Sequence, residues 1–237
     1  MRRGDTGARE GARVRVLRAA GRTASAWSNG GGVTREIAAA PPGAGWDAFD
    51  WRVSLAEVGR DGPYSQLPGV DRVLTVAEGA GLELTVDGTR HVLPAHRPFA
   101  FPGDAPTGCR LLDGPVVNFN VMLRRGRATA TVELTRDRYA AAPRPATAPR
   151  EPGEERTRLI VALSGRTTLD GHGPAAPPVP LERHDAALLP ADEGVSLRTD
   201  GVAAVVTLTV RTAAPDARTD REGGLCPNHP PPSDPAP

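Results

Sequence analysis

Two stretches of this sequence gather polar side chains if they run as strands. In "DWRVSLAEV", Arg52 and Ser54 fall on one face and Trp51, Val53 and Leu55 on the other. In "VVNFNVM", Asn118 and Asn120 share the face opposite Val117, Phe119 and Val121. A guanidinium fork matches the two oxygens of a carboxylate, a hydroxyl is an adjustable donor or acceptor, and paired amides hold an anion or an imidazole without changing charge. On an outer face the same groups would only meet water, so the chemistry depends on which face the fold turns inward.

A third stretch, "WSNGGGVTREI", combines a turn-forming Asn29 with Gly30, Gly31 and Gly32. Successive backbone N–H groups in a left-handed turn form a nest for a carboxylate, and Thr34 and Glu36 share a face of the strand that follows. A tight barrel corner plugged by Trp27 would use the same residues. Tyr64 and Ser65, on the Gly/Pro loop "DGPYSQLPG", suit a barrel mouth, whereas Asp61, Asp71 and Arg72 read as turn formers or ion-pair partners. The candidate ligand-binding set is therefore Asn29, Gly30, Gly31, Thr34, Glu36, Arg52, Ser54, Tyr64, Asn118 and Asn120, with Arg52 as the anchoring cation.

Other chemistries find less support. The five histidines, His91, His96, His172, His184 and His229, include no His-x-His pair, so neither a metal site nor a cofactor is expected. No Gly-x-Ser-x-Gly elbow or phosphate loop occurs, Cys109 reads as a small buried hydrophobe, and "NGGGVTRE" and "GAGLEL" open no helix of the dinucleotide-binding kind. A metal-independent isomerase or hydrolase using Glu36, Tyr64 or His96 as acid and base stays open, as does a protein-interaction module.

The elements that must position these groups read as strands. "FDWRVSLAEV", "RVLTVAEG", "LELTVDG", "VVNFNVML" and "ATATVEL" mix alternation with β-branched residues between Gly, Pro, Asp and Asn turns, while "ERHDAALL" could pass for a helix by composition. An internal repeat organises them. "RVLTVAEGAGLELTVDG" matches "RLIVALSGRTTLDG", and "FPGDAPTGCRLLDGPVVNFNVMLR" matches "LPADEGVSLRTDGVAAVVTLTVR" with one residue dropped, so that both runs end on Arg. The expected fold is all-β: two tandem antiparallel barrels of the double-sheet, jelly-roll kind found in cupins, with a pocket in the mouth of the first. Residues 14–125 form the first barrel and 126–211 the second, with a loop around Ala140 to Glu155; 1–13 and 212–237 read as a disordered extension and tail.

Composition narrows the function. A chain of 237 residues that is 39% hydrophobic can bury a core, and 29 basic against 28 acidic residues leave no electrostatic footprint for nucleic acid or a membrane surface. All the lysine-type and arginine-type cations are Arg. Without an apolar signal segment or a span of membrane length, the expected location is the cytoplasm. Two cysteines, Cys109 and Cys226, make no disulfide framework.

"WSNGGGVTREIAAAPPG", "FDWRVSLAEVGRDGPYSQLPGVDRVLTVAEGAGLEL" and "FAFPGDAPTGCRLLDGPVVNFNVM", in that order, resemble the HutD/Ves family of small bicupins. The likeness is strong from Val14 to Arg125 and weaker beyond. It implies a two-barrel fold and a regulatory, ligand-binding role in histidine utilisation, with urocanate or formylglutamate as the kind of carboxylate sensed. The second barrel would then act as cover or as a homodimer surface.

Overall fold

The structure, a computed structural model, describes residues 14–145, 147–149, 151–170 and 177–211. The expected extension and tail, with Cys226, His172 and His229, lie outside these. The described residues form nineteen strands and no helix. In chain order the first eleven are β1 (Arg15–Leu17), β2 (Ala24–Ala26), β3 (Gly32–Ala40), β4 (Trp51–Val58), β5 (Gly62–Tyr64), β6 (Val70–Glu78), β7 (Leu82–Val86), β8 (Thr89–Leu93), β9 (Phe99–Pro102), β10 (Thr107–Leu111) and β11 (Val116–Arg124). The rest are β12 (Ala128–Thr135), β13 (Arg138–Ala141), β14 (Glu154–Ser164), β15 (Thr167–Leu169), β16 (Val179–Leu181), β17 (Ala186–Pro190), β18 (Val195–Thr199) and β19 (Val202–Arg211).

All-β architecture, expected from the alternation, is what forms. The first unit pairs a six-stranded sheet, β2-β3-β4-β11-β6-β9, with a four-stranded one, β5-β10-β7-β8. The second unit repeats this with β1-β17-β14-β19-β12 and β13-β18-β15-β16. Every pairing is antiparallel. The helix-compatible segment "ERHDAALL" supplies β17, because its backbone completes ladders with β14 and β1.

Three apolar layers result. The two large sheets pack on each other through Trp51, Val53, Leu55, Phe119 and Val121 from one unit and Leu159, Val161, Val206 and Leu208 from the other. The opposite faces of the same strands line the interiors, around Leu74, Val76, Leu82 and Leu84 in the first unit and Ile160, Leu169, Leu181 and Val205 in the second. Alternation thus sends Trp51, Val53 and Leu55 to the interface between units and Arg52 and Ser54 toward the first interior. The turn between β11 and β12 separates the halves, yet β1 pairs with β17, so residues 15–17 sit in the second unit's sheet.

The ladders also give the repeat its register. Arg72 lies opposite Met122 and Phe101, and Arg158 opposite Thr207 and Leu189. Both central strands carry a bulge at the corresponding place. Asn118 and Asn120, opposite Val76 and Leu74, therefore correspond to Ala203 and Val205, opposite Ala162 and Ile160. This corrects the sequence match at its end. Arg124, opposite Val70, corresponds to Thr209, opposite Arg156, and not to Arg211. His96 and His184 occupy matching turns, with φ of 63° and 68°, and their N–H groups donate to Val76 O at 2.8 Å and Ala162 O at 2.6 Å.

Candidate functional site

A cavity of about 320 Å³ opens into the first unit. Its inner wall is strand-borne: Ser54 and Ala56 from β4, Asn120 and Met122 from β11, Arg72 from β6. Its rim comes from loops, with Trp27 and Asn29 between β2 and β3, Trp46 between β3 and β4, and Ser65 and Leu67 after β5. Loops can shape a mouth because their side chains are not bound to alternation, whereas the strands hold the deeper groups at fixed spacing.

Arg72 is the cation of this cavity, against its reading from sequence as a turn or ion-pair residue. It is only 7% exposed, and its guanidinium carbon lies 5.4 Å from the centroid of Tyr64 and 5.0 Å from that of Phe101. No carboxylate among the described residues pairs with it, and Nε is buried without a hydrogen-bond partner. Burial pushes its pKa down to about 10, so it keeps its charge at neutral pH. The neighbours behave as expected: Asp71 takes two hydrogen bonds from Arg125, and Asp61 accepts from Leu111 N at 2.8 Å.

The second unit shows how a guanidinium at this place can be held. There the matching Arg158 donates from Nη1 to Glu193 O at 2.8 Å and from Nη2 to Ala191 O at 2.9 Å. In the first unit the matching carbonyls are otherwise engaged. Gly103 O accepts Leu67 N at 2.7 Å, and Ala105 O accepts the Thr107 hydroxyl at 3.0 Å. Neither carbonyl accepts from Arg72.

Around Arg72 stands an uncharged frame. Trp27 Nε1 donates to Thr34 Oγ1 at 2.8 Å, and the Trp27 and Tyr64 rings meet edge to face at 5.7 Å. Asn118 Nδ2 donates to the Tyr64 hydroxyl at 2.9 Å from behind the cavity wall, leaving Asn118 Oδ1 buried and unpartnered. Burial pushes the Tyr64 phenol well above its ordinary value, and the Cys109 thiol is raised the same way. Both stay protonated at neutral pH.

Of the candidates from sequence, Asn29, Thr34, Ser54, Tyr64 and Asn120 line the cavity, and Asn118 supports it. Arg52 and Glu36 do not line it. They form an ion pair of 2.8 Å, and the Arg52 guanidinium lies over the Trp46 ring at 4.3 Å. The nest is also absent from Asn29 to Gly31. Gly30 N donates to Trp27 O and Gly31 N to Asn29 Oδ1, both at 2.9 Å, so these donors close the turn on itself. Bare backbone is needed for geometry: Gly30 has φ +65°, and a Cβ on Gly32 would lie 2.5 Å from Glu57 O and 3.2 Å from the Trp27 ring. Sequence reading missed Arg72 and Trp46. A signal for Arg72 existed, since alternation in "RVLTVAE" puts one arginine on a face with Leu74 and Val76.

Among the described residues no three His, Cys, Asp or Glu side chains stand close enough to hold a metal ion. No helix among them is long and apolar enough to cross a membrane. Of the acid–base candidates only Tyr64 reaches the cavity; His96 lies between the units, its Nε2 3.0 Å from Ala77 O and its Nδ1 3.3 Å from Arg136.

Comparison with known proteins follows the same lines. The model of the family described as HutD matches residues 19–207. Protein Ves of Cronobacter sakazakii is 37% identical over 146 residues, 61% of this chain and 73% of that protein. An uncharacterized 21.2 kDa protein in the hutC 3' region of Pseudomonas putida is 38% identical over 122 residues, 51% of this chain and 63% of that one, so the alignment spans less than two thirds of its length. The structure of HutD from Pseudomonas fluorescens SBW25, described for a formate condition, superposes with a TM-score of 0.68 at 30% identity, covering 84% of this chain and all of that one.

Proposed function

The chain belongs to the HutD family, and from that premise we propose that it binds a small carboxylate in the first unit's cavity through Arg72 and modulates histidine utilisation without turnover. The observation that carries this reading is a buried cation facing a cavity with no carboxylate beside it. A desolvated charge without a counter-ion is costly, and an anionic ligand offsets that cost when it arrives. Arg158 supplies an internal guide to the ligand, since the equivalent fork holds two oxygens, one on each terminal nitrogen. A carboxylate offers the same two acceptors with a charge added.

The link to histidine utilisation is supported by the family and by the Pseudomonas putida relative in the hutC 3' region. Urocanate and formylglutamate are the first ligands to try, with formate as the minimal probe. Binding rather than turnover is favoured because the cavity holds one group charged at neutral pH and a phenol that burial keeps protonated. A thermal-shift and calorimetric screen tests it. A bound acid at about 100 times its Kd should stabilise the chain by about 2.7 kcal/mol. Arg72→Gln should lose that response; if its affinity is unchanged, the reading fails.

A further inference from the structure

We propose that Trp46 determines which carboxylates the cavity accepts, selecting acids with a flat aromatic or conjugated body, and that Glu36 and Arg52 are positioning residues acting through it. The ligand's anionic end rests on the Arg72 reading above; the placement of the indole does not. Trp46 is 50% exposed, an unusual position for so large an apolar ring beside a cavity it helps to line. It is nonetheless held. Arg124 Nη2 donates to its carbonyl at 2.9 Å, and the edge of Phe49 meets it with centroids 6.4 Å apart. The Arg52 guanidinium lies over its ring at 4.3 Å, and Glu36 fixes that guanidinium at 2.8 Å.

Each of these contacts has a consequence for recognition. The ion pair compensates Arg52, so this cation is not available to a carboxylate, while its stacking on the indole sets the angle of the ring. The exposed remainder of the ring is a rigid flat surface at the rim of a cavity whose other aromatic wall is the Trp27 and Tyr64 pair. A planar ligand body gains from stacking on such a surface, and a puckered one of equal charge gains less.

The test compares benzoate with cyclohexanecarboxylate, which match in charge and approximate size, by calorimetry on the full chain. The wild-type chain should prefer benzoate by about threefold to tenfold. Trp46→Leu should abolish the preference by weakening benzoate more than cyclohexanecarboxylate, and Trp46→Phe should restore part of it. Arg52→Gln and Glu36→Gln should lower the preference partway. Without any ligand, they should also make the Trp46 emission, taken as the difference from matched chains carrying Trp46→Leu, more accessible to acrylamide. A preference retained by Trp46→Leu, or quenching unaltered by Arg52→Gln, overturns the proposal. If Arg72→Gln instead binds both acids normally, the anionic anchor is what fails.

Discussion

The two units use one buried arginine for opposite ends. Arg72 on β6 and Arg158 on β14 sit at matching places in the larger sheets of the two units, each facing its unit's interior. Arg158 donates from both terminal nitrogens to the Ala191 and Glu193 carbonyls, with its Nε unpartnered like that of Arg72, and Ala203 and Val205 stand where the first unit has Asn118 and Asn120. Arg72 meets aromatic faces and the cavity, and the matching carbonyls accept from Leu67 N and the Thr107 hydroxyl instead. The lesson is that one buried guanidinium is held by turn carbonyls in one unit and stands open to a cavity in the other.

Four measurements would break or sharpen that contrast. The largest effect is expected from Arg158→Met, which should destabilise the fold by about 2 to 4 kcal/mol in denaturant melts, since it removes two charge-assisted hydrogen bonds, one of them buried, and leaves both carbonyls without that donor. A neutral result would remove the brace from the comparison. Next, Arg72→Gln should weaken carboxylate binding by about 1.5 to 3 kcal/mol, tenfold to more than a hundredfold, with Arg72→Lys recovering only part. Equal affinities across these variants would make the first unit's arginine another structural residue.

Arg72→Met should do the reverse of its counterpart and raise stability, by about 1 to 2 kcal/mol without ligand. The native pKa of about 10 lies below the ordinary 12.5, so the charged form is disfavoured by folding. The sign follows from linkage: the wild-type chain should gain stability as pH rises above about 10, where the folded form sheds the proton, and the variant should not. Loss of stability in Arg72→Met would mean that the ring contacts outweigh the buried charge.

The smallest effect concerns the latch between units. Arg183 Nε and Nη2 reach Glu78 Oε1 and Oε2 at 2.7 and 2.6 Å, and His184 Nε2 reaches Oε1 at 2.8 Å. Burial lowers the His184 pKa against the pull of Glu78. Burial pushes Glu78 upward, but the hydrogen bonds from Arg183 and His184 together hold it below its ordinary value. Both shifts favour the deprotonated forms, so their stabilisation is complete above the free histidine value of 6.5 and fades as pH falls past it and then past the free glutamate value of 4.5. Glu78→Gln should remove the step below 4.5, by less than about 1 kcal/mol given the partial exposure, and leave the His184 step in place, since Glu78 opposes that shift.

Much of the molecule was legible in the sequence. Alternation in "DWRVSLAEV" and "VVNFNVM" gave the strands and correctly grouped Ser54 with Arg52 and Asn118 with Asn120, because a pleated backbone has only two faces. The repeat gave two units with the same turns, since Asp-Gly and Gly signals act over a few residues and need no distant partner. Tertiary structure alone decided which arginine is the cation of the cavity. The alternation places both Arg52 and Arg72 on inward faces, but Arg52 finds Glu36 across the sheet and Trp46 in the preceding loop, while Arg72 finds the Tyr64 and Phe101 rings and no carboxylate. Whether a charge is free depends on partners brought from far along the chain, and that information resides in the packing of loops and not in any local pattern.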